Sequence, residues 1–256
     1  MLLKARNLTK SFGGVRAVAG VDIDVAVGEI VGIIGPNGAG KTSLLNMLSG
    51  IMRPDVGEVE FDGTRLTRLG PHRLTALGLA RTFQNLGVFR TGTVLENILI
   101  GRHTRFRSNL LQAALGLPAA ARDEGENAAK AREILSFLGV EHLAERRIDT
   151  LSYGLQKRIE LGRVLAADPK LILVDELVSG MNYEETADIS RLILTIRDKL
   201  GIAIAMIEHD VGMIMDLSDR IYVLNFGKLI ASGNPVTVAS HPDVIRAYIG
   251  SSDDTL

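Results

Sequence analysis

The chain of 256 residues contains no cysteine. Disulfides and thiolate metal sites are thereby excluded, and the composition suits a reducing compartment. An excess of either charge is also missing. With 29 basic and 30 acidic side chains the net charge is −1, so nothing global points to nucleic acid as a partner. No apolar run has the length of a membrane span, and "GIAIAMIEHDVGMIMDL" is broken by Glu208, His209 and Asp210. The opening "MLLKARNLTKSF" carries neither the apolar core nor the small-residue cleavage site of a signal peptide. Internal repeats and low-complexity tracts are absent too. These absences lead to the expectation of a soluble cytoplasmic protein with room for peripheral attachment to a membrane protein. The length allows one large domain, or a core with a subdomain.

What is there alternates. Val21, Ile23, Val25 and Val27 fall on one face with Asp22 and Asp24 on the other, the pattern of a half-buried antiparallel strand. "EIVGIIG" reads as an apolar strand entering a glycine loop, "TSLLNMLSGI" as the helix after it, and "GEVEFDG" as a further short strand. From about Gly101 to Leu151 the sequence turns rich in Ala, Leu and charge with helical spacing, which predicts a helical subdomain inserted in the core. A helix opening at Ser152 follows and is expected to end near "AADPK", where Pro169 stops it. "LILV" (171–174) and "IAIAMI" (202–207) are continuous apolar runs, the mark of strands covered on both faces. "RIYVLNFGKLIASG" predicts a hairpin turning at Asn225 to Gly227. The order predicts an α/β sheet core.

"GPNGAGKT", Gly35 to Thr42, has the P-loop spacing and lies where that loop must lie, between a strand and a helix start. Its glycines let backbone N–H groups wrap phosphates. Lys41 would reach the β- and γ-phosphates, and the Thr42 hydroxyl would bind Mg²⁺. "LILVDE" ends in Asp175 at the carboxyl edge of the sheet, placed to hold Mg²⁺, with Glu176 free to polarise an attacking water. Two acids after a strand are by themselves a solvated turn; a P-loop upstream changes their meaning. His209 follows the next apolar strand, which would deliver it to the same edge, within reach of a γ-phosphate. Gln84 in "RTFQN" is a weak signal alone, and Phe12 could be core or could stack on a nucleobase.

One stretch remains. In "LSYGLQKRIE" Ser152 is a good N-cap, and the amides of Tyr153, Gly154 and Leu155 would be left at a helix mouth. The capping-box position holds Leu155, so no side chain is expected to close the site from within. A bare helix N-terminus invites an anion.

Taken in this order, the elements resemble the ATP-binding subunits of ABC transporters, from Leu2 to about Gly250. The fold implied is a P-loop NTPase (ABC ATPase) core over 1–250, with an antiparallel β subdomain, an inserted α-helical subdomain at about 86–165, and a frayed tail at 251–256. The resemblance makes Gly35–Thr42 the Walker A loop, Gln84 the Q-loop, Asp175 and Glu176 the Walker B pair, His209 the switch histidine and Ser179–Asn182 the D-loop. It implies ATP and Mg²⁺ as ligands. The expected nucleotide contacts are Phe12, Val18, Asn37, Gly38, Ala39, Gly40, Lys41, Thr42 and Ser43, with Mg²⁺ at Thr42, Gln84 and Asp175. It also implies Lys41, Gln84, Glu176 and His209 as the catalytic set. "LSYGLQKRIE" looks like the family signature, which in such proteins caps the γ-phosphate held by a second subunit; Ser152 and Gly154 would do so here.

"ARTFQNLGVFRTGTVLENILIGRH", the insertion after it, "SGMNYEET" and "GNPVTVASHPDVIRAYIG" resemble the branched-chain amino-acid importer type, a group that includes relatives proposed for urea, amides and other small polar solutes. Implied partners are membrane-spanning permease subunits, a second ATP-binding subunit and, indirectly, a solute-binding protein, with no nucleic acid. The implied location is the cytoplasmic side of the inner membrane. A non-transport ABC ATPase acting on DNA or ribosomes is the alternative class; a module that holds ATP without turnover is a third. The chain departs from the pattern at Tyr153, Leu155, Leu177 and Tyr183, where glycine, glutamine and two prolines are usual; Gln156 stands beside the missing glutamine. In "GRHTRFRSNLLQAALG" arginines accompany an apolar stretch, read as a solvated helix packed on its own subdomain. The alternatives are the flank of a permease docking surface or a lipid-facing helix.

Overall fold

The computed structural model describes residues 1–66, 69, 71–82, 87–106 and 117–249. Gln84 and the tail at 251–256 lie outside the described residues. Two sheets organise the chain. The first is antiparallel, in the order β2 (Val15–Val25), β1 (Leu3–Phe12), β4 (Val56–Phe61), β5 (Thr64–Arg65). The second runs β10 (Lys228–Gly233), β9 (Arg220–Asn225), β3 (Ile30–Ile34), β8 (Ala203–Ile207), β7 (Leu171–Asp175), β6 (Leu79–Arg81). All of its pairings are parallel except the β9–β10 hairpin.

The continuous apolar runs are explained by what lies on either side. Successive side chains of a strand point to opposite faces. Val31, Ile33, Leu171, Leu173, Ala203, Ala205 and Ile207 join a core with α1 (Lys41–Leu48) and the antiparallel sheet. Their neighbours Ile30, Ile34, Ile172, Val174, Ile204 and Met206 join a second core with the helices of the other face. Gly32 stands where α7 (Val211–Leu217) crosses β3; a Cβ there would lie 2.5 Å from the Ile214 side chain.

Between Gly87 and Leu165 the regular elements among the described residues are helical: α3 (Val94–Gly101), α4 (Pro118–Phe137), two 3₁₀ turns, and α5 (Tyr153–Leu165). A bridge between Thr93 and Arg147, with backbone hydrogen bonds such as Val94 N–H to Arg146 O and Ile148 N–H to Gly92 O, ties the two ends of this excursion. A further helix, α2 (Pro71–Leu77), precedes β6, and α6 (Tyr183–Leu200) joins β7 to β8. Two short helices, α8 (Pro235–Ala239) and α9 (Pro242–Ile249), close the described chain.

One expectation needs correction. β2 ends at Val25, and Val27 is 74% exposed in the turn that follows, because Gly28 at φ 68° already reverses the chain. The signature helix stops near "AADPK", as expected. It ends at Leu165, and Asp168 takes a left-handed φ of 50°. Arg102 and Arg105 of the insertion donate to the carbonyls of Ala166 and Ala167 at that end, so these two cations cap a helix rather than face lipid.

Candidate nucleotide site

The loop after β3 is shaped by close approach. Gly40 is the N-cap of α1 at φ 100°, and a Cβ on it would lie 2.2 Å from the Ala17 carbonyl. Gly38, at φ 79°, meets no atom within 4 Å and leaves the concave side open. Asn37 and Thr42 are exposed and Ser43 is half-buried. The Ala39 N–H is turned inward to Pro36 O (3.1 Å). Lys41 Nζ folds back onto the Gly35 and Pro36 carbonyls at 2.6 and 3.1 Å. Burial lowers the Lys41 pKa, and nearby Glu176 works against that shift. An ammonium held only by carbonyls stands ready for an anionic partner.

Register brings the remaining groups to this edge. Asp175 pairs with Ile207, and Ile207 with Ile33, so the residues that follow β7 and β8 emerge beside the loop that follows β3. Glu176 Oε1 and His209 Nε2 are 2.8 Å apart, with Glu176 largely sheltered and His209 half exposed. Asp175 is buried. Its Oδ2 accepts Arg81 Nη2 at 2.7 Å, while its Oδ1 has no hydrogen-bond partner among the described residues. A buried carboxylate oxygen with nothing donating to it fits a hydrated divalent cation. Arg81 also grips Asn46 and Ser49 of the P-loop helix end, at 2.7 and 2.9 Å. Nothing in the motif spacing singled out Arg81; its signal is its place at the end of the strand beside β7.

Phe12 ends β1 with 48% of its surface exposed and Lys10 Nζ 5.9 Å from its ring centroid. Val18 differs from expectation. It is completely buried in the core with Ala39 and Leu44, and offers a nucleotide no surface.

At the mouth of α5, Ser152 accepts the Leu155 N–H at 3.4 Å. As expected, no capping-box side chain closes the site from within the helix, but a neighbouring helix does so: Glu185 Oε1 of α6 accepts the Gly154 N–H at 3.2 Å. Its Oε2 accepts the Asn182 N–H in the capping box of α6. Tyr153, in place of glycine, donates its hydroxyl to Ser179 O at 3.2 Å. Gln156 does not substitute for the missing glutamine, because it is buried and donates to Leu151 O at 2.9 Å. A cavity of about 190 Å³ opens in front of Ser152, Gly154, Glu185 and Asp188. A larger one, about 390 Å³, lies between the P-loop side and the helices, lined by Ile51, Leu74, Ile100 and Val164, with Arg81, Arg163, His103 and Glu160 among its polar points.

A phosphate loop, a strand-end acid pair and a histidine at one sheet edge define a P-loop nucleotide hydrolase, and comparison with known proteins narrows the class. The family model described as ABC transporter matches residues 18–179, and one described as branched-chain amino acid ATP-binding cassette transporter matches residues 228–254. The chain belongs to the ABC transporter family, as its ATP-hydrolysing subunit. It is 37% identical to the high-affinity branched-chain amino acid transport ATP-binding protein BraF of Pseudomonas aeruginosa, over 98% of both chains. The solved ADP conformation of an ATP-binding cassette of an ABC transporter is 36% identical, with a TM-score of 0.85, over 97% of this chain and 98% of that one. A dimeric bacterial ABC transporter cassette shares the fold at 25% identity and a TM-score of 0.75, over 91% of this chain and 98% of that one.

Proposed function

We propose that this chain is the energy-coupling ATPase of an importer for branched-chain amino acids. Full-length likeness to a protein named for that transport, with a matching C-terminal family model, supports the cargo class. No described helix is long and apolar enough to cross a membrane, so the chain would act peripherally, on the cytoplasmic face of membrane-spanning permease subunits served by a solute-binding protein. The apolar 390 Å³ cavity beside Gly87 and Ile100 is where a permease segment would seat.

The observation that carries the ATPase reading is the 2.8 Å contact of Glu176 with His209 at the edge that also bears Lys41. Phosphates entering the loop would take Lys41 Nζ from the Gly35 and Pro36 carbonyls. Phe12 would stack on the base, with Asn37, Gly38, Gly40, Thr42 and Ser43 around the phosphates. Thr42, Asp175 and Gln84 would hold Mg²⁺, which screens charge on the β- and γ-phosphates. Glu176 would take the proton of the attacking water, and His209 would orient Glu176 and the γ-phosphate. Ser152 and Gly154 of a second ATP-binding subunit, the same or a similar chain, would complete the cradle once Glu185 releases Gly154.

Reconstitution tests this. The chain with its co-purifying membrane subunits and binding protein, in proteoliposomes, should drive uptake of labelled leucine with ATP. Unlabelled isoleucine and valine should compete, and Glu176→Gln should stop uptake. ATP turnover with uptake of urea or amides in place of leucine would overturn the cargo. Salt-sensitive DNA binding without uptake would overturn the transport role.

A further inference from the structure

Glu208 is buried to 3% exposure one residue before His209, and the chemistry proposed above does not use it. Glu176 holds φ 50°, a left-handed conformation that costs energy for any residue with a Cβ and persists only when its surroundings enforce it. What enforces it lies on β8. The Glu176 N–H donates to Ile207 O at 2.9 Å. The amides that follow turn to Glu208: Val178 N–H donates to its Oε1 at 3.2 Å, and the Leu177 N–H faces the same carboxyl and draws its pKa down. Consecutive N–H groups beyond a left-handed residue form a concave anion nest, and here the anion is a side chain of the neighbouring strand. Leu177 makes this possible. A proline at that position has no N–H to give.

We infer that Glu208 is a positioning residue: its carboxylate clamps the amides of Leu177 and Val178, fixes the left-handed turn at Glu176, and so aims the Glu176 carboxylate at the attacking water. The inference rests on Glu176 being the base. The other charges facing Glu208 are Glu176 itself and Lys157 of α5, which is buried and paired with Glu160 at 3.2 Å. Burial, the dominant influence, pushes the Glu208 carboxyl up to about 7.

The test compares parent, Glu208→Ala, Glu208→Gln, Glu176→Gln and the double variant Glu208→Ala/Glu176→Gln, each in the assembled transporter. Glu208→Ala should lower kcat by about tenfold to a hundredfold with KM for ATP little changed, since the P-loop is untouched. Glu208→Gln keeps the volume and one acceptor, so it should fold normally and lose less. Because Glu208 acts through Glu176, removing it from the Glu176→Gln protein should cost no further turnover. Parent-like kcat in Glu208→Ala, with Glu176→Gln inactive, would overturn the clamp alone. So would an equal fractional loss of the residual, single-turnover hydrolysis left in Glu176→Gln, which means independent damage. Full turnover in Glu176→Gln would remove the base and the clamp together.

Discussion

The Glu185 carboxylate accepts the Gly154 N–H at 3.2 Å, so the signature helix already holds an anion supplied by its own chain. A γ-phosphate arriving from a second subunit must displace that carboxylate before it reaches the helix mouth. Asp188, on the same wall of the cavity, is held by Arg158 at 3.2 Å and adds a second acid to the entrance.

Neutralising the competitor should therefore favour the two-chain state. Glu185→Gln keeps an oxygen for the capping box of α6 and removes the charge. Measured in a hydrolysis-deficient background, ATP-dependent association should tighten severalfold, corresponding to roughly 1 kcal/mol for one displaced charged hydrogen bond. Weaker association from a normally folded variant would mean that Glu185 supports the interface instead of guarding it.

Lys41→Ala removes the only ammonium bonded to the loop carbonyls among the described residues. Binding of ATP should weaken on the order of a hundredfold or more, as expected when one partner of a sheltered charge pair is truncated, at 2–5 kcal/mol or about that. Calorimetric titration reads it directly. Unchanged affinity would contradict the assignment of the loop.

Glu208 predicts a pH signature in stability. Its carboxyl sits at about 7 in the folded chain, against an ordinary 4.5. The folded state thus binds this proton more tightly than the unfolded one. The contribution is full below about pH 4.5 and is lost as pH rises through about 7, on the order of 3 kcal/mol in all. Glu208→Gln lacks this titration. Its melting temperature should gain on the parent by several degrees between pH 5 and pH 8, and scanning calorimetry at intermediate pH values would show the gap opening. A gap constant across that window would mean the carboxyl titrates at its ordinary value.

How much of this was legible beforehand depends on distance along the chain. The P-loop, Asp175, Glu176 and His209 follow apolar strands, and parallel strands expose their carboxyl ends on one edge; local pattern and one topological rule suffice. The hairpin at Phe226 and Gly227 was equally readable, since positive φ at both residues suits its turn. Arg81, Glu185 and Glu208 were not. Arg81 meets Asp175, and Glu185 meets Gly154, only through packing between elements far apart in sequence, and no spacing rule encodes such a meeting. Val18 failed for a related reason: its strand face turns inward, and only the assembled sheet decides which face that is. Gln156 cannot stand in for the usual glutamine, because one step from position 155 is a rotation of 100° around the helix, into the core.

The measurement closest to the central claim is the oligomeric state of Glu176→Gln, alone or with a partner ATPase, followed by light scattering at several protein concentrations. Glutamine keeps the shape of the site and removes the base, so ATP should bind and stay. The account predicts a shift to dimer in ATP and Mg²⁺ but not in ADP, and adding Ser152→Arg should cancel the shift while each monomer keeps its ATP. If Ser152→Arg instead stripped ATP from the monomer, the signature would be serving its own chain, and the two-chain site would be refuted.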